Sequence, residues 1–378
     1  LGDTLYMSDT SVVQKQVSKK NQTVNVPLYR VGPNYGPLVG LASDGERVYS
    51  LHQKHLVRTS FNAGVPMQDD MDLQKSVAGA PAVGSALVGP IVASSHVFFA
   101  ADSGFWTVNL TDEMTRTFTS TESIAHPQDM AICKVDKQDY YGVVVGEDGK
   151  IFMRKFSLEN KADAKPSFSK QNAGFAQVAA SKNETFRVAC TDLDRDGTVE
   201  AVMLGSRGTV ASFKLGEGGK QKAQWVRVYK RGAAGTSGLD DETSGMAFGD
   251  LNGDAYPEIV FLGDNLVYAL DRFGFPVDGF PATINRGTPV TGFHSDPLIV
   301  DVTGDKVPEI LVPSSDGLVY AYTGKGKRVT DRFPIAAGSY ESMDSLQQAV
   351  PMSIFVTDAV KNSQGPGLYA FPTTGGAA

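Results

Sequence analysis

Cysteine and positive charge are both scarce in this chain, and each shortage excludes a class of protein. Its 378 residues include two cysteines, too few for a small secreted scaffold held together by disulfides. Lysine and arginine number 35 against 42 aspartate and glutamate, and the net charge of −7 excludes nucleic-acid binding driven by overall positive charge. Because 41% of the residues are hydrophobic and 20% are charged, we expect a packed core and not a disordered chain.

Long hydrophobic runs and familiar catalytic motifs are missing as well. Residues 76–101 carry no Asp, Glu, Lys or Arg, but glycine, proline and serine interrupt them, which favours two buried strands over a transmembrane helix. The sequence contains no GxSxG, HExxH, Walker A or dinucleotide-binding motif. Its first residues lack the basic and apolar regions of a signal peptide, so either that peptide was removed or none existed. We therefore expect a soluble protein with no assigned catalytic residue.

Tight turns, in contrast, are abundant and regularly spaced. Seven of them precede alternating apolar strands, and their second residues are at 45, 104, 149, 208, 265, 317 and 367. The spacing averages about 54 residues, and short strands repeated at such a period are typical of β-propeller blades. The sequence thus predicts an all-β fold, a single seven-bladed β-propeller spanning residues 1–372.

The two ends of the chain predict how the ring closes. Only LYAFPTTGGAA follows the last turn, which is too short for both of the strands that the seventh blade still needs. Residues 1–18 are therefore predicted to form the missing outer strand and to cover an exposed sheet edge. Residues 373–378 have the composition of a linker, so we expect the chain to belong to a longer protein.

Three acidic loops occupy the same position in consecutive repeats. The 192 loop (192–200), the 250 loop (250–258) and the 301 loop (301–309) each begin 15 or 16 residues before a hairpin turn. Oxygen side chains at loop positions 1, 3, 5 and 9, together with the backbone carbonyl at position 7, can converge on one hard cation. The candidate ligands are Asp192, Asp194, Asp196, Thr198 and Glu200; Asp250, Asn252, Asp254, Tyr256 and Glu258; and Asp301, Thr303, Asp305, Val307 and Glu309.

Calcium suits this ligand set better than other metals. Magnesium keeps more of its water, and zinc prefers histidine or cysteine, which the loops lack. An EF-hand requires glutamate at position 12, where the three loops have Met203, Phe261 and Val312. Aspartate-rich turns without metal are the alternative, but three of them at matched positions favour cation sites. The sequence thus predicts up to three calcium ions.

These segments resemble the calcium-binding FG-GAP repeats of integrin α-subunit propellers and of related bacterial and fungal surface proteins and lectins. The resemblance covers roughly residues 175–335 and implies that the side chains at positions 1, 3, 5 and 9 are ligands, with glutamate at position 9 where the family usually has aspartate. Gly197 matches the glycine at position 6, whereas Ala255 and Lys306 replace it. We therefore expect the 192 loop to bind calcium most strongly, the 250 loop second and the 301 loop third.

The third repeat has no such loop but contains a cysteine at the matching position. Asp136 and Asp139 are wrongly spaced for a cation and predict a degenerate loop closed by side-chain hydrogen bonds. Cys133 and Cys190 occupy equivalent positions in neighbouring repeats. A disulfide between them remains open, but two buried free thiols are favoured because neighbouring inner strands usually diverge beyond bridging distance.

The first functional hypothesis is an extracellular or cell-surface recognition or adhesion module, lectin-like, that binds a protein or a glycan. Loops of this kind suit the millimolar calcium outside cells, and a periplasmic location is also compatible. One alternative is a polysaccharide lyase or hydrolase on a propeller scaffold, and the other is a structural spacer of a longer surface protein. Neither nucleic-acid binding nor membrane insertion is expected.

Overall fold

The computed structural model of this chain consists of short antiparallel β-strands. It describes residues 5–7, 29–31, 35–44, 46–62, 65–75, 83–84, 87–102, 104–110, 116–119, 126–147, 149–158, 167–178, 184–215, 219–220, 222–229, 244–263, 266–283, 296–314, 318–336, 352–357 and 367–372. No helix in these ranges is long and apolar enough to cross a membrane.

Six sheets of at least four strands follow one another along the chain, with one two-stranded sheet before them and one after. The leading pair is β1 (Leu5–Met7) and β2 (Tyr29–Val31). The first sheet contains β3 (Leu38–Ser43), β4 (Val48–His52), β5 (His55–Asn62) and β6 (Val65–Asp72). The second contains β7 (Leu87–Ala93), β8 (His96–Ala101), β9 (Gly104–Asn109) and β10 (Arg116–Thr119).

The later sheets repeat this plan. The third contains β11 (Pro127–Lys134), β12 (Asp139–Gly146), β13 (Lys150–Ser157), β14 (Ser167–Gln177) and, parallel to β14, β18 (Gly219–Lys220). The fourth contains β15 (Phe186–Thr191), β16 (Glu200–Gly205), β17 (Thr209–Lys214) and β19 (Trp225–Val228). The fifth contains β20 (Met246–Gly249), β21 (Glu258–Gly263), β22 (Leu266–Leu270) and β23 (Ala282–Thr283). The sixth contains β24 (Leu298–Val300), β25 (Glu309–Pro313), β26 (Leu318–Tyr322) and β27 (Ile335–Ala336), and the trailing pair is β28 (Met352–Thr357) and β29 (Gly367–Pro372).

Consecutive sheets pack face to face because alternate residues of a strand point to opposite faces. In β16, Ala201 and Met203 pack with the third sheet, whereas Val202 and Leu204 pack with the fifth. In β21 of the fifth sheet, Ile259 and Phe261 pack with the fourth sheet, whereas Val260 and Leu262 pack with the sixth. Apolar residues on one face of β4 and on both faces of β8, β12, β16, β21 and β25 therefore link the six sheets into one stack.

The first strand of each sheet contacts the first strand of the next, from β3 through β7, β11, β15 and β20 to β24. Every residue of β20 and β24 is partly exposed, whereas every residue of the second strands β16 and β21 is buried. The first strands thus lie together along a solvent-accessible inner region. This is how blades are arranged in a β-propeller, and the predicted all-β class is confirmed.

Two details of the predicted strand plan need comment. The turn at Asp44 joins the first and second strands of its sheet. Five of the other turns join second and third strands, because they follow β8, β12, β16, β21 and β25. The prediction that the Asp44 turn is equivalent to them is therefore wrong. Asp44 accepts the backbone N–H groups of Glu46 and Arg47, which shapes a tight turn between any two strands. At the N-terminus, Leu5–Met7 pairs with β2, while residues 8–18 and the predicted tail 373–378 lie outside the described residues.

The expectation of free thiols is wrong, because Cys133 and Cys190 form a disulfide. Cys133 belongs to β11 and Cys190 to β15, and their Cα atoms are 5.6 Å apart. The first strands of neighbouring sheets converge here, which brings the two side chains within bridging distance. The bond therefore links the third and fourth sheets covalently.

Candidate metal centre

The three acidic loops connect equivalent strands in three consecutive sheets. They join β15 to β16, β20 to β21 and β24 to β25, in each case the first strand to the second. The glutamate at position 9 begins the second strand, and its side chain is buried in all three loops, as Glu200, Glu258 and Glu309. The matched sequence positions therefore correspond to one structural position.

The loops share a framework of hydrogen bonds from backbone N–H groups to carboxylates. At position 1, the Oδ2 atom of aspartate accepts the N–H of position 6, at 3.0 Å in the 192 and 250 loops and 2.9 Å in the 301 loop. At position 9, the Oε2 atom of glutamate accepts the N–H of position 2, at 2.9, 2.7 and 2.9 Å in the same order. One oxygen of each glutamate is therefore committed to holding its loop.

Two positions of each loop have a left-handed backbone. Position 6 has positive φ angles of 85° at Gly197, 73° at Ala255 and 71° at Lys306. The loops without glycine at position 6 thus keep the same backbone shape, at a cost of about 1–2 kcal/mol per non-glycine residue. The sequence analysis missed position 4, where Gly253 and Gly304 are left-handed and Arg195 takes the same conformation. Each loop therefore has one glycine across its two left-handed positions.

Position 3 sets the 192 loop apart from the other two. Oδ1 of Asp192 and Oε1 of Glu200 are buried and have no hydrogen-bond partner. Asp194 completes a group whose ligand atoms all lie within 4.8 Å of one another, and no other group of three acidic, histidine or cysteine residues meets this test among the described residues. A carboxylate at position 3 has no proton to donate to Oε1 of Glu200. Oδ1 of Asp192 lacks a different donor, the position 4 N–H, which Asp250 and Asp301 accept from Gly253 and Gly304 at 2.7 Å.

In the 250 and 301 loops, a hydrogen-bond donor replaces that carboxylate. Asn252 Nδ2 donates to Oε1 of Glu258 at 2.8 Å. Thr303 Oγ1 donates to Oε1 of Glu309 at 3.2 Å. The second glutamate oxygen is therefore satisfied within each loop, which removes part of the need for a cation.

The electrostatics of the loops follow from burial and from neighbouring charge. Burial raises the pKa of Glu200 to about 7, and the charges of Asp194 and Asp192 add to the rise. Burial likewise raises the pKa of Glu258 to about 7, with a contribution from Asp254 and Asp250. Backbone N–H groups, above all that of Gly304, lower the pKa of Asp301. The position 9 glutamates of the first two loops are thus costly to ionise without a nearby positive charge.

A lysine that the sequence analysis missed adjoins the 192 loop. Lys214 lies opposite Glu200 in the β16–β17 register, and its ammonium group donates a hydrogen bond to Asp196 at position 5. This bond lowers the pKa of Asp196 to about 2. In the next two sheets, the residues that correspond to Lys214 are Asp271 after β22 and Thr323 after β26. Of the three loops, only the 192 loop therefore has a cationic side chain at this position. The lysine comes from the third strand, and the loop sequence could not reveal it.

The donor atoms of the 192 loop fit a hard cation. Asp192, Asp194 and Glu200 supply close carboxylate oxygens, and two of these are buried without donors. Asp196 is paired with Lys214, and Thr198 donates its N–H to Asp196. The 250 and 301 loops each have one carboxylate fewer and an internal donor for their glutamate, so they fit a cation less well.

Two other acidic positions hold strands together. In the third sheet, Ser157 and Lys155 on β13 both donate to Asp139 at the start of β12, while the predicted degenerate loop is closed by backbone bonds from Val135 and Asp136 to the carbonyl of Asp139. On β11, Asp129 accepts the N–H of Val188 at 2.9 Å, and burial raises its pKa to about 6. The side chain is still 23% exposed, because the first strands face the accessible inner region. Its carboxylate thus bridges the third and fourth sheets.

Comparison with known proteins finds similarity to solved structures only. The chain matches no protein-family model and no curated protein. Similar solved structures include BBS1N in complex with ARL6DN, from one crystal soaked with lead and another soaked with mercury. Both are 15% identical, with TM-scores of 0.44 and 0.43. The first match covers 77% of this chain and 80% of that chain, and the second covers 78% and 79%.

Proposed function

We propose that this protein is a calcium-stabilised β-propeller that recognises a protein or a glycan outside the cell. The observation that carries the calcium proposal is the buried Glu200, whose unpartnered Oε1 atom faces the carboxylates of Asp192 and Asp194. A divalent cation would neutralise three carboxylates that have too few hydrogen-bond donors. The resemblance of these loops to FG-GAP repeats supports the same assignment.

The bound cation would act on structure and not on a substrate. Asp192 follows β15 and Glu200 begins β16, so a shared ion ties the first strand of the fourth sheet to the second. Leu193, between them, packs in the core shared with the fifth sheet. Ordering of the loop therefore extends to the contact between two sheets.

Recognition accounts for the remaining features better than catalysis does. A glycan-cleaving enzyme needs convergent carboxylates outside the metal loops. Asp129 accepts the N–H of Val188, and Asp296 accepts the N–H of Gly245, so both join neighbouring sheets. A pure spacer would not need the exposed aromatic and valine side chains that adjoin β19. The Cys133–Cys190 disulfide supports a location outside the reducing cytosol.

The complete ring is part of this proposal. The trailing pair β28–β29 follows the sixth sheet, and β28 contacts β25, as the start of a seventh blade would. We propose that residues 1–18 supply the strand that completes this blade and removes the open edge. The chain would then form seven blades.

Isothermal titration calorimetry tests the calcium proposal. Calcium is titrated into chelated protein, from which a chelator has removed bound metal ions. We expect calcium to bind, with the Asp192→Ala variant losing one site, and the chelated protein to melt at a lower temperature. Arrays of glycans and surface proteins, probed with and without chelator, then test recognition. No calcium binding at millimolar concentration contradicts the metal proposal, and release of reducing ends from a polysaccharide contradicts the recognition proposal.

A further inference from the structure

We propose that the outer edge of the fourth sheet is a docking surface for an extended acidic peptide that carries apolar side chains. The proposal rests on the recognition function above and assigns it a surface and a partner. The surface, here the arginine–aromatic patch, combines β19 with the turn between β22 and β23. It consists of Trp225, Val226, Arg227, Val228, Arg272, Phe273 and Phe275.

The turn that presents the two phenylalanines is fixed by its own hydrogen bonds. Oδ1 of Asp271 accepts the N–H groups of Phe273 at 2.9 Å and Phe275 at 2.8 Å. Gly274 has a φ of 77°, and a Cβ atom there would lie 2.7 Å from the Trp225 ring. Trp225 Nε1 donates to the carbonyl of Arg272 at 2.9 Å, which attaches the turn to β19. The patch is therefore ordered before any partner arrives, which lowers the entropic cost of binding.

Apolar exposure is concentrated at this place. Four of the eight exposed large hydrophobic residues among the described residues belong to the patch, namely Val226 at 41%, Val228 at 69%, Phe273 at 52% and Phe275 at 53% exposed. Single exposed apolar residues are ordinary, but Phe273 and Phe275 adjoin Trp225 and Arg227, which is a composition typical of interface hot spots, and Val226 and Val228 are exposed on the other face of the same strand.

The patch carries two arginines and one carboxylate, that of Asp271, which is turned toward the backbone N–H groups of its own turn. The guanidinium of Arg227 lies 4.4 Å from the centre of the Phe275 ring. That of Arg272 lies 3.6 Å from the Tyr256 ring and 4.8 Å from the Phe273 ring. Neither arginine forms an ion pair among the described residues. On a chain of net charge −7, two stacked and unpaired guanidinium groups favour carboxylates of a partner.

The strand edge favours a peptide over an acidic glycan. Within the described structure, β19 has one strand neighbour, β17. Val226 and Val228 lie on one face of β19, and Trp225 and Arg227 lie on the other. An added peptide strand would place acidic side chains toward the arginines and apolar ones toward the valines. A uronic-acid polymer would use the arginines and rings but has no group that matches the valine face.

Fluorescence anisotropy tests the proposal with a labelled peptide in which glutamate and valine alternate. We expect saturable binding that weakens with added salt, and roughly tenfold or greater weakening in the double variant Arg227→Gln, Arg272→Gln. Phe275→Ala should weaken binding as well, because it removes a half-exposed ring on which Arg227 stacks. The matched control is Arg328→Gln, which removes an arginine stacked 4.6 Å from the Tyr320 ring on another sheet and should bind as the wild type does.

Several results would overturn the proposal. One is equal affinity of the double variant and the wild type, and another is equal binding of a peptide in which lysine and valine alternate. A third is arginine-dependent binding of polygalacturonate without any peptide binding. Peptide binding with no measurable calcium binding supports the patch while contradicting the metal proposal, and calcium binding without peptide binding contradicts the patch alone.

Discussion

Asn252 Nδ2 donates a hydrogen bond to Oε1 of Glu258 at 2.8 Å, so the 250 loop itself contains a donor for this buried carboxylate. In the 192 loop the equivalent residue is Asp194, which has no proton to give, and Oε1 of Glu200 is left without a partner. The 250 loop thus supplies a side-chain donor to its glutamate and a position 4 N–H donor to Asp250, and the 192 loop lacks both donors.

The variant Asp194→Asn should make the stability of the 192 loop depend less on calcium. The new amide can donate to Glu200 as Asn252 does to Glu258, which removes a buried unsatisfied oxygen worth about 1–3 kcal/mol. We expect the chelated variant to melt at a higher temperature than chelated wild type, and its melting temperature to change less when calcium is added. Differential scanning calorimetry with and without calcium measures both quantities.

The reverse variant, Asn252→Asp, is the matched control. It should give the 250 loop an unsatisfied Glu258 and therefore a melting temperature that depends more on calcium than in the wild type. Equal calcium responses of both variants and the wild type would mean that position 3 does not govern cation binding.

The spacing of acidic residues predicted where these loops would lie, because positions 1, 3, 5 and 9 are neighbours in sequence and in space. The Lys214 contact with Asp196 could not be predicted in this way, since the lysine comes from β17 and meets the loop through strand register. The loop pattern also treated Asp194, Asn252 and Thr303 as equivalent oxygen ligands. The structure shows that two of these residues act as donors to the neighbouring glutamate.

The repeat of turns predicted the sheets well, because each turn needs only local sequence. The pairing of Cys133 with Cys190 depends on how far apart the first strands of two sheets lie, which no local pattern contains. Free thiols were predicted because inner strands of neighbouring blades usually diverge beyond bridging distance. In this structure the two Cα atoms are 5.6 Å apart, which is within that distance. Long-range distances of this kind account for most of what the sequence did not predict.

Asp129 should make stability depend on pH in the acidic range. Burial raises its pKa from 3.8 to about 6 in the folded protein, so the folded state keeps this proton to higher pH than the unfolded state does. The stability it contributes is present below pH 3.8 and is lost as the pH rises through about 6. Asp129→Asn keeps an acceptor for Val188 and should flatten this part of the profile of melting temperature against pH.

The exposed Asp69, which pairs with Arg58, provides the control for that experiment. Asp69→Asn should leave the slope of melting temperature against pH between about pH 4 and 6 unchanged, because a surface ion pair contributes little to stability. A slope that Asp129→Asn does not alter would show that another group controls stability in this range.

Reduction of the disulfide should destabilise the protein considerably. The bond joins residues 57 positions apart, and the loop-entropy estimate for such a link is about 4 kcal/mol. We expect urea unfolding of the Cys133→Ala, Cys190→Ala variant to shift to lower denaturant, and denatured wild type to show no free thiol in a colorimetric assay. Two titratable thiols in unreduced protein would contradict the bond.

Removal of Lys214 should strengthen calcium binding at the 192 loop. Its ammonium group donates to Asp196 and so competes with a metal ion for the carboxylate at position 5. In Lys214→Gln, Asp196 is released to ligate and the local positive charge is gone, so we expect a several-fold lower dissociation constant for calcium by calorimetry. Lys155→Gln is the matched control, because Lys155 pairs with Asp139 between β12 and β13 of the third sheet, away from the 192 loop, and its loss should leave calcium affinity unchanged. If Lys214→Gln bound calcium as weakly as the wild type or more weakly, Lys214 would be a support of the loop and not a competitor for its cation.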